Sequence, residues 1–240
     1  TNPLKIALYG CTIAALIVMA LFANYTPYQL KHTIYHTFGR FDYTEIFSKI
    51  YAQNKWDNGS GLGSDPVAAA EYMNFLQSFI NNPNIHSIVD LGCGDWQIMQ
   101  QIKIPEDKSY VGYDVIAEVI NIDTQKFSKP NVQFKHIKTL REFKALNVKA
   151  DLLLIKDVMQ HWPDAEIKYF IKNILPNFKQ VLITNDYAPG SKKSNTNIIL
   201  GHDRPLNLTN KPYNLAHAKS VLEYNGPSLK QVLLYTNPNQ

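Results

Sequence analysis

The sequence predicts an α/β fold built on a doubly wound, mostly parallel sheet. Three observations predict it. Short apolar runs alternate with stretches of helical periodicity through the middle of the chain, the pattern that packs helices against both faces of a parallel sheet. The first apolar run leads into Asp90-Leu91-Gly92-Cys93-Gly94, a turn in which glycines let the backbone bend sharply and approach a ligand closely. The next run ends on Asp114, a carboxylate placed about 20 residues after the turn, where it can accept both hydroxyls of a ribose.

The N-terminus is apolar. Residues Ile6 to Ala23 carry no charge and no proline, and a run of that length just suffices for a membrane-spanning helix, which needs about 17–25 residues. The reading is one anchor helix (1–23), followed by a juxtamembrane linker (24–40) and a catalytic domain (41–240). Tyr25 and Tyr28 stand where interfacial aromatics sit, and Lys31, His32, His36 and Arg40 follow them. That basic flank favours a cytoplasmic C-terminal side. A cleaved signal peptide is the first alternative, although Leu21-Phe22-Ala23 makes a poor cleavage site. A buried or interfacial helix is the second.

The elements of the domain follow in order. Phe41 to Gln53 has helical spacing. Asp57 to Pro66 is a glycine-rich loop, and Asp65-Pro66 suits the start of a helix ending near Asn81-Asn82-Pro83. Strands are predicted at Ser87–Leu91, Tyr110–Asp114, Val132–Phe134, Asp151–Lys156 and Val181–Thr184. Helices are predicted at Trp96–Ile102, Ala117–Phe127, near Leu140–Leu146, and at Ala165–Leu175. Tyr187 to Asn214 is long for a connection and reads as a functional lid. The runs around Asn225-Gly226-Pro227 suggest a closing strand pair.

Composition narrows the function classes. With 45% hydrophobic and 18% charged residues, the chain can bury a core and is not globally disordered. The net charge of +4 is spread without a dense basic run, so there is no clear nucleic-acid signal. Two cysteines, Cys11 and Cys93, form no disulfide framework. No His/Cys/Asp cluster has metal-ligand spacing, so no metal is predicted.

The glycine turn also bears on the cofactor. Dinucleotide sites use G-x-G-x-x-G, and the third position here is Gln97. S-adenosylmethionine (SAM) carries no phosphate, and Asp90 can receive its ammonium group. The residues therefore favour SAM over NAD.

VDLGCGDW, YVGYDV, DLLLIKDVMQHWP and VLITNDY, in this order and spacing, resemble the class I SAM-dependent methyltransferases over roughly residues 60–235. SGLGSDP, KDVMQHW and GHDRPLNL resemble more narrowly a bacterial group of such enzymes. The resemblance implies a seven-stranded sheet and a methyl transfer from SAM. It implies that Asp90, Gly92 and Gly94 hold the methionine part, that Asp114 binds the ribose with Val115 beside the adenine, and that the Ser60–Ser64 loop, Gly61 included, closes over the carboxylate. Cys93, Asp95 and Trp96 in the same turn are further candidates for cofactor binding, and Lys156 at a strand end can meet a carboxylate. One departure stands out. Where many relatives have an acid after the third strand, this chain has Phe134 to Leu140, with Lys138 and Thr139 near that place.

By the same resemblance, Ile155 to Asp164 faces the methyl group. His161 is the candidate general base, since its ordinary pKa lies near neutrality, and Asp157 is the candidate that orients it or contacts the substrate or the cofactor amine. Each has a plain structural reading beside it: His161 packing against Trp162, Asp157 as a turn acid, Asp90 and Asp114 as turn residues, Cys93 and Trp96 as packing. Arg204 in the lid either binds an anionic group or pairs with an acid. The function expected is transfer of a methyl group to a small or membrane-associated acceptor, with oxygen the first choice of atom. A non-catalytic SAM-binding scaffold and an NAD-dependent oxidoreductase are the alternatives.

Overall fold

The computed structural model describes residues 43–240; the apolar run 6–23 and the linker 24–40 lie outside the described residues. Helix α1 (Tyr43–Ala52) precedes the glycine-rich loop, and α2 (Ala70–Ile80) follows it. Strands β1 (Ser87–Leu91), β2 (Ser109–Asp114), β3 (Val132–His136), β4 (Ala150–Lys156) and β5 (Phe178–Asp186) are parallel. Helices α3 (Ala117–Phe127), α4 (Leu140–Ala145) and α5 (Asp164–Asn173) lie between them in sequence. Strands β6 (Ala218–Asn225) and β7 (Leu229–Thr236) form the closing pair, and β7 runs antiparallel to both β5 and β6. The sheet has seven strands in the order β3-β2-β1-β4-β5-β7-β6.

The core strands read as unbroken apolar runs because both of their faces are covered. In β4, Leu152, Leu153, Leu154 and Ile155 are all buried. The strand order reverses between β1 and β4, and ligands of open α/β sheets bind in the crevice beyond the carboxyl ends at such a reversal. The glycine turn leaves β1 at that point.

One expectation about helices needs correction. Residues Trp96–Ile102 form turns and one short 3-10 turn, Met99–Gln101, rather than a helix. Trp96 takes a left-handed φ of 58°, which an L-residue does not propagate into a helix. That conformation buries its ring, and its indole Nε1–H donates to Tyr110 Oη at 2.9 Å. Ile98, Met99, Ile102 and Ile104 are buried behind it. The glycine turn is therefore not followed directly by an α-helix. The second helix is regular from Ala70, a few residues after Asp65-Pro66; Asp65 Oδ1 still accepts from the Val67 and Ala68 N–H groups, the capping contact expected of it, on the turn that leads into the helix.

The stretch Tyr187 to Asn214 has no regular structure. It is nevertheless fastened, with Leu200, Leu206 and Leu208 buried and the Gly201 N–H donating to the His161 carbonyl at 2.9 Å.

Candidate active site

Two cavities meet at the carboxyl ends of β1 and β4. The larger is a cleft of about 760 Å³, mouth included, and the smaller an inner space of about 420 Å³. Ser64, Gly92, Cys93 and Lys156 line both. Of the residues expected at the site, Ser60, Gly94, Asp114, Val115, Asp157 and His161 line the cleft, while Asp90, Asp95 and Trp96 line the inner space. Gly61 lines neither; its φ of 94° shapes the loop that carries Ser60 and Ser64.

Asp90 is buried and accepts from Tyr110 Oη at 2.8 Å, which in turn accepts from Trp96. Burial pushes the Asp90 carboxyl up to about 7, against the lowering effect of that hydrogen bond. Asp114 is also buried. Its two oxygens accept from the Gly94 and Ile116 N–H groups, each at 3.0 Å. Burial raises its pKa, and those backbone bonds oppose the rise. Cys93 packs its sulfur over Gly112, where an added Cβ would lie 2.9 Å from Sγ. Burial raises the thiol well above its ordinary value, so it stays protonated and acts as packing.

The glycine-rich loop is stitched to the glycine turn. The Asp95 N–H donates to Ser60 Oγ at 3.0 Å, and the Ser60 N–H donates back to Asp95 Oδ2 at 3.3 Å. A Cβ on Gly94 would sit 2.3 Å from Ser60 Oγ. Gln97, in the place of a third glycine, donates to Asp95 Oδ2 and to the Asn58 carbonyl, both at 2.7 Å. Asp95 Oδ1 is buried beside the inner space with no hydrogen-bond partner among the described residues.

Asp157 does not orient His161 by a hydrogen bond, which corrects the expectation for that pair. It follows directly on β4 with a left-handed φ of 56°, and two ammonium groups hold its carboxylate: Lys156 at 2.5 Å and Lys230, from β7, at 2.8 Å. Lys230 also meets Asp186 at 2.5 Å. Burial would raise the Asp157 pKa, but the two lysines outweigh it and hold it below its ordinary value. Lys156 further donates to the Gly63 carbonyl at 2.7 Å, tying β4 to the glycine-rich loop.

His161 takes its orientation from a backbone group instead. Nδ1 lies 3.0 Å from the His202 carbonyl oxygen. A carbonyl only accepts, so Nδ1 carries the proton and Nε2 keeps its lone pair. Burial lowers the His161 pKa, which leaves the ring neutral near pH 7. The ring lies against Trp56, with centroids 4.8 Å apart.

Arg204 follows the second of its two readings. It is buried and donates to the Met159 and Gln160 carbonyls at 3.1 and 2.9 Å, to Asp164 at 3.4 Å and to Tyr213 Oη at 3.0 Å. It fastens the strap 187–214 to the His161 turn and offers no free face to an anion. After β3, Thr139 caps α4 by accepting from the Glu142 N–H at 3.1 Å, and the Lys138 N–H donates to Glu142 Oε2. Neither lines the cleft; the apolar Ile137 and Leu140 do.

Sequence reasoning missed the roof. Tyr43, Phe47 and Tyr51 on α1, with Trp56 after it, all line the cleft. The signal was the spacing of four from Tyr43 to Phe47 to Tyr51, which puts these three on one face of a helix; Trp56 gave none. Lys230 gave no comparable signal.

No family description and no curated protein matches the chain. Solved structures do. Magnesium protoporphyrin IX methyltransferase from Synechocystis with bound SAM is 13% identical with a TM-score of 0.52, over 81% of this chain and 96% of that one. DhpI in complex with S-adenosylhomocysteine (SAH) is 11% identical with a TM-score of 0.55, over 82% and 96%. Human N-acetylserotonin methyltransferase in complex with SAM is 15% identical with a TM-score of 0.51, over 84% of this chain and 61% of that one. These are likenesses of fold. The chain has the architecture of the class I SAM-dependent methyltransferases.

Proposed function

We propose that the chain is a SAM-dependent methyltransferase acting at oxygen on a small-molecule acceptor, free or lipid-associated. The observation that carries this reading is the paired cavity at the glycine turn, with Asp90 at one end and Asp114 at the other. The residues fit SAM group by group. Asp90, with Tyr110 behind it, suits the ammonium group, and Asp95 has a buried oxygen still unpartnered. Lys156 stands between the two cavities and suits the carboxylate. Asp114 suits the ribose diol, and Ile116, Ile137 and Leu140 give the adenine an apolar wall where an acid was missing.

When bound, SAM supplies an electrophilic methyl group on a sulfonium. The chain's own residues hold the acceptor in line with it and keep water out, and alignment alone contributes several kcal/mol (about 7–11 at best). His161 is the base in this reading, taking the acceptor's proton on Nε2. The segment 6–23 anchors the protein in the membrane with the catalytic domain on the cytosolic side, which a C-terminal reporter fusion checks; a lumenal or periplasmic signal would reverse the topology.

Calorimetric titration of the full chain with SAM, SAH and NAD tests the reading. SAM and SAH should bind saturably and NAD should not. Asp114→Asn should weaken SAH by roughly tenfold or more, the loss expected for a charged hydrogen bond of about 1.5–3 kcal/mol. Binding of NAD alone would sink the reading in favour of an oxidoreductase. SAM binding without turnover on any acceptor would favour the non-catalytic scaffold.

A further inference from the structure

One stretch of the cleft wall is made of rings, those of Tyr43, Phe47, Tyr51, Trp56, His161 and Trp162, and most of the polar atoms attached to it are engaged inside the protein. Tyr43 Oη donates to Glu166, whose other partner is Arg141. Tyr51 Oη shares a 2.5 Å bond with Ser60 Oγ. Lys156 and Asp157 cancel each other, and the continuation through Lys230 to Asp186 adds one charge of each sign, so the four together are neutral. What this stretch presents is mostly carbon: Trp56 packs against Phe47 at 5.7 Å and against His161 at 4.8 Å, and Tyr43 meets Trp162 edge-on at 6.5 Å. His161 Nε2 keeps a lone pair once Nδ1 is bound to His202.

A charged acceptor would leave water here without a counter-ion, at a cost of several kcal/mol. A flat, uncharged one would exchange water for ring faces, each aromatic pair adding about 0.5–1.5 kcal/mol beyond burial. His161 Nε2 offers a hydrogen-bond acceptor among these rings, which suits a ligand that donates.

We propose that the methyl acceptor is a planar, uncharged phenol-type hydroxyl compound, stacked among Trp56 and its neighbouring rings with its O–H directed at His161 Nε2. This deepens the methyltransferase reading and rests on it. In the transfer, the acceptor oxygen forms its bond to the methyl carbon as the carbon–sulfur bond breaks. The electron pair of that bond stays on sulfur, which becomes a neutral thioether, and the hydroxyl proton passes to His161 Nε2.

The test is binding to the full chain saturated with SAH, read by calorimetry. The probes are 2-naphthol, catechol, 2-naphthoate and cyclohexanol. One or both phenols should bind at least tenfold more tightly than 2-naphthoate and cyclohexanol. Trp56→Ala should weaken the phenol about tenfold while SAH affinity stays within twofold, and Trp56→Phe should restore most of the loss. Equal or tighter binding of the carboxylate or the aliphatic alcohol overturns the proposal, as does phenol binding indifferent to Trp56→Ala. If SAH binds and neither phenol does, the acceptor class is wrong and the methyltransferase reading stands. If SAH itself does not bind, both fall.

Discussion

Replacing Lys230 with Met tests whether the ion pairs behind β4 hold the site together. Lys230 Nζ lies 2.8 Å from Asp157 and 2.5 Å from Asp186, and its side chain is 5% exposed. Methionine keeps most of the volume and removes the charge, leaving two carboxylates short of a partner. Breaking a buried pair in this way costs about 3–5 kcal/mol. Asp157 keeps Lys156, so the lower end applies, about 3 kcal/mol. For a domain of this size that is a drop in Tm of roughly 6–12 °C. The penalty should depend on pH in a definite way. Asp157 is held below its ordinary 3.8, so its contribution is present above that pH and is lost as pH falls through its lowered value. Burial works against the Lys230 charge, but Asp157 and Asp186 outweigh it and raise its pKa above 10.5, so its contribution is present below that pH and fades above it. The gap between wild type and Lys230→Met should therefore be full from about pH 5 to 9 and narrow at both extremes. Calorimetric melting across that range measures it. A gap under about 1 kcal/mol at pH 7 would mean that the pairs are worth no more than surface ones, and the reasoning would fail.

Three further outcomes follow from the site. His161→Gln should lower kcat by about 10²–10⁴ with SAH affinity near normal. Because burial lowers the His161 pKa, the acid limb of the wild-type kcat profile at saturating SAM, where Asp90 no longer limits binding, should have its midpoint below pH 6.5; a midpoint above that value argues against His161 as the base. With Asp90 raised to about 7, SAH affinity should fall by up to about tenfold per unit as pH drops below 7, and titrations of Asp90→Asn should be flat over the same range. Gly94→Ala should abolish SAH binding while circular dichroism stays native. Its Cβ would meet Ser60 Oγ at 2.3 Å, at a φ of 55° that costs roughly 1–2 kcal/mol for an L-residue; retained affinity would show that the loop yields easily.

How far the sequence could be read followed the physics of each element. The inner strands β1 and β4 were legible because strands covered on both faces are apolar almost throughout, the edge strand β3 because it alternates buried Val132 and Phe134 with exposed Gln133 and Lys135, and Asp114 because it ends β2. The false helix at Trp96–Ile102 arose because apolar residues at 96, 98, 99 and 102 imitate helical spacing. What breaks it is a left-handed tryptophan, and that conformation leaves no mark in residue type. Asp157 was assigned to His161 because they are neighbours in sequence, whereas its second ammonium partner stands 73 residues away on an antiparallel strand. Arg204 looked free for the same reason: the carbonyls it binds are 44 and 45 residues upstream. An acid was sought after β3, and what lines the cleft there is the buried apolar pair Ile137 and Leu140, a surface that offers dispersion rather than charge.

The stitching between the glycine-rich loop and the glycine turn has a kinetic side. Ser60 with Asp95, Asn58 with Gln97, and Gly63 with Lys156 are all bonds of protein to protein, and the loop they fasten bears Trp56, Ser60 and Ser64 on the wall of the cleft. A ligand held beneath such a flap does not leave at a rate set by its own contacts alone. It waits for several bonds to open together, so its residence time belongs largely to the loop. Two ligands of quite different affinity would then share similar exit rates and differ mainly in how fast they enter.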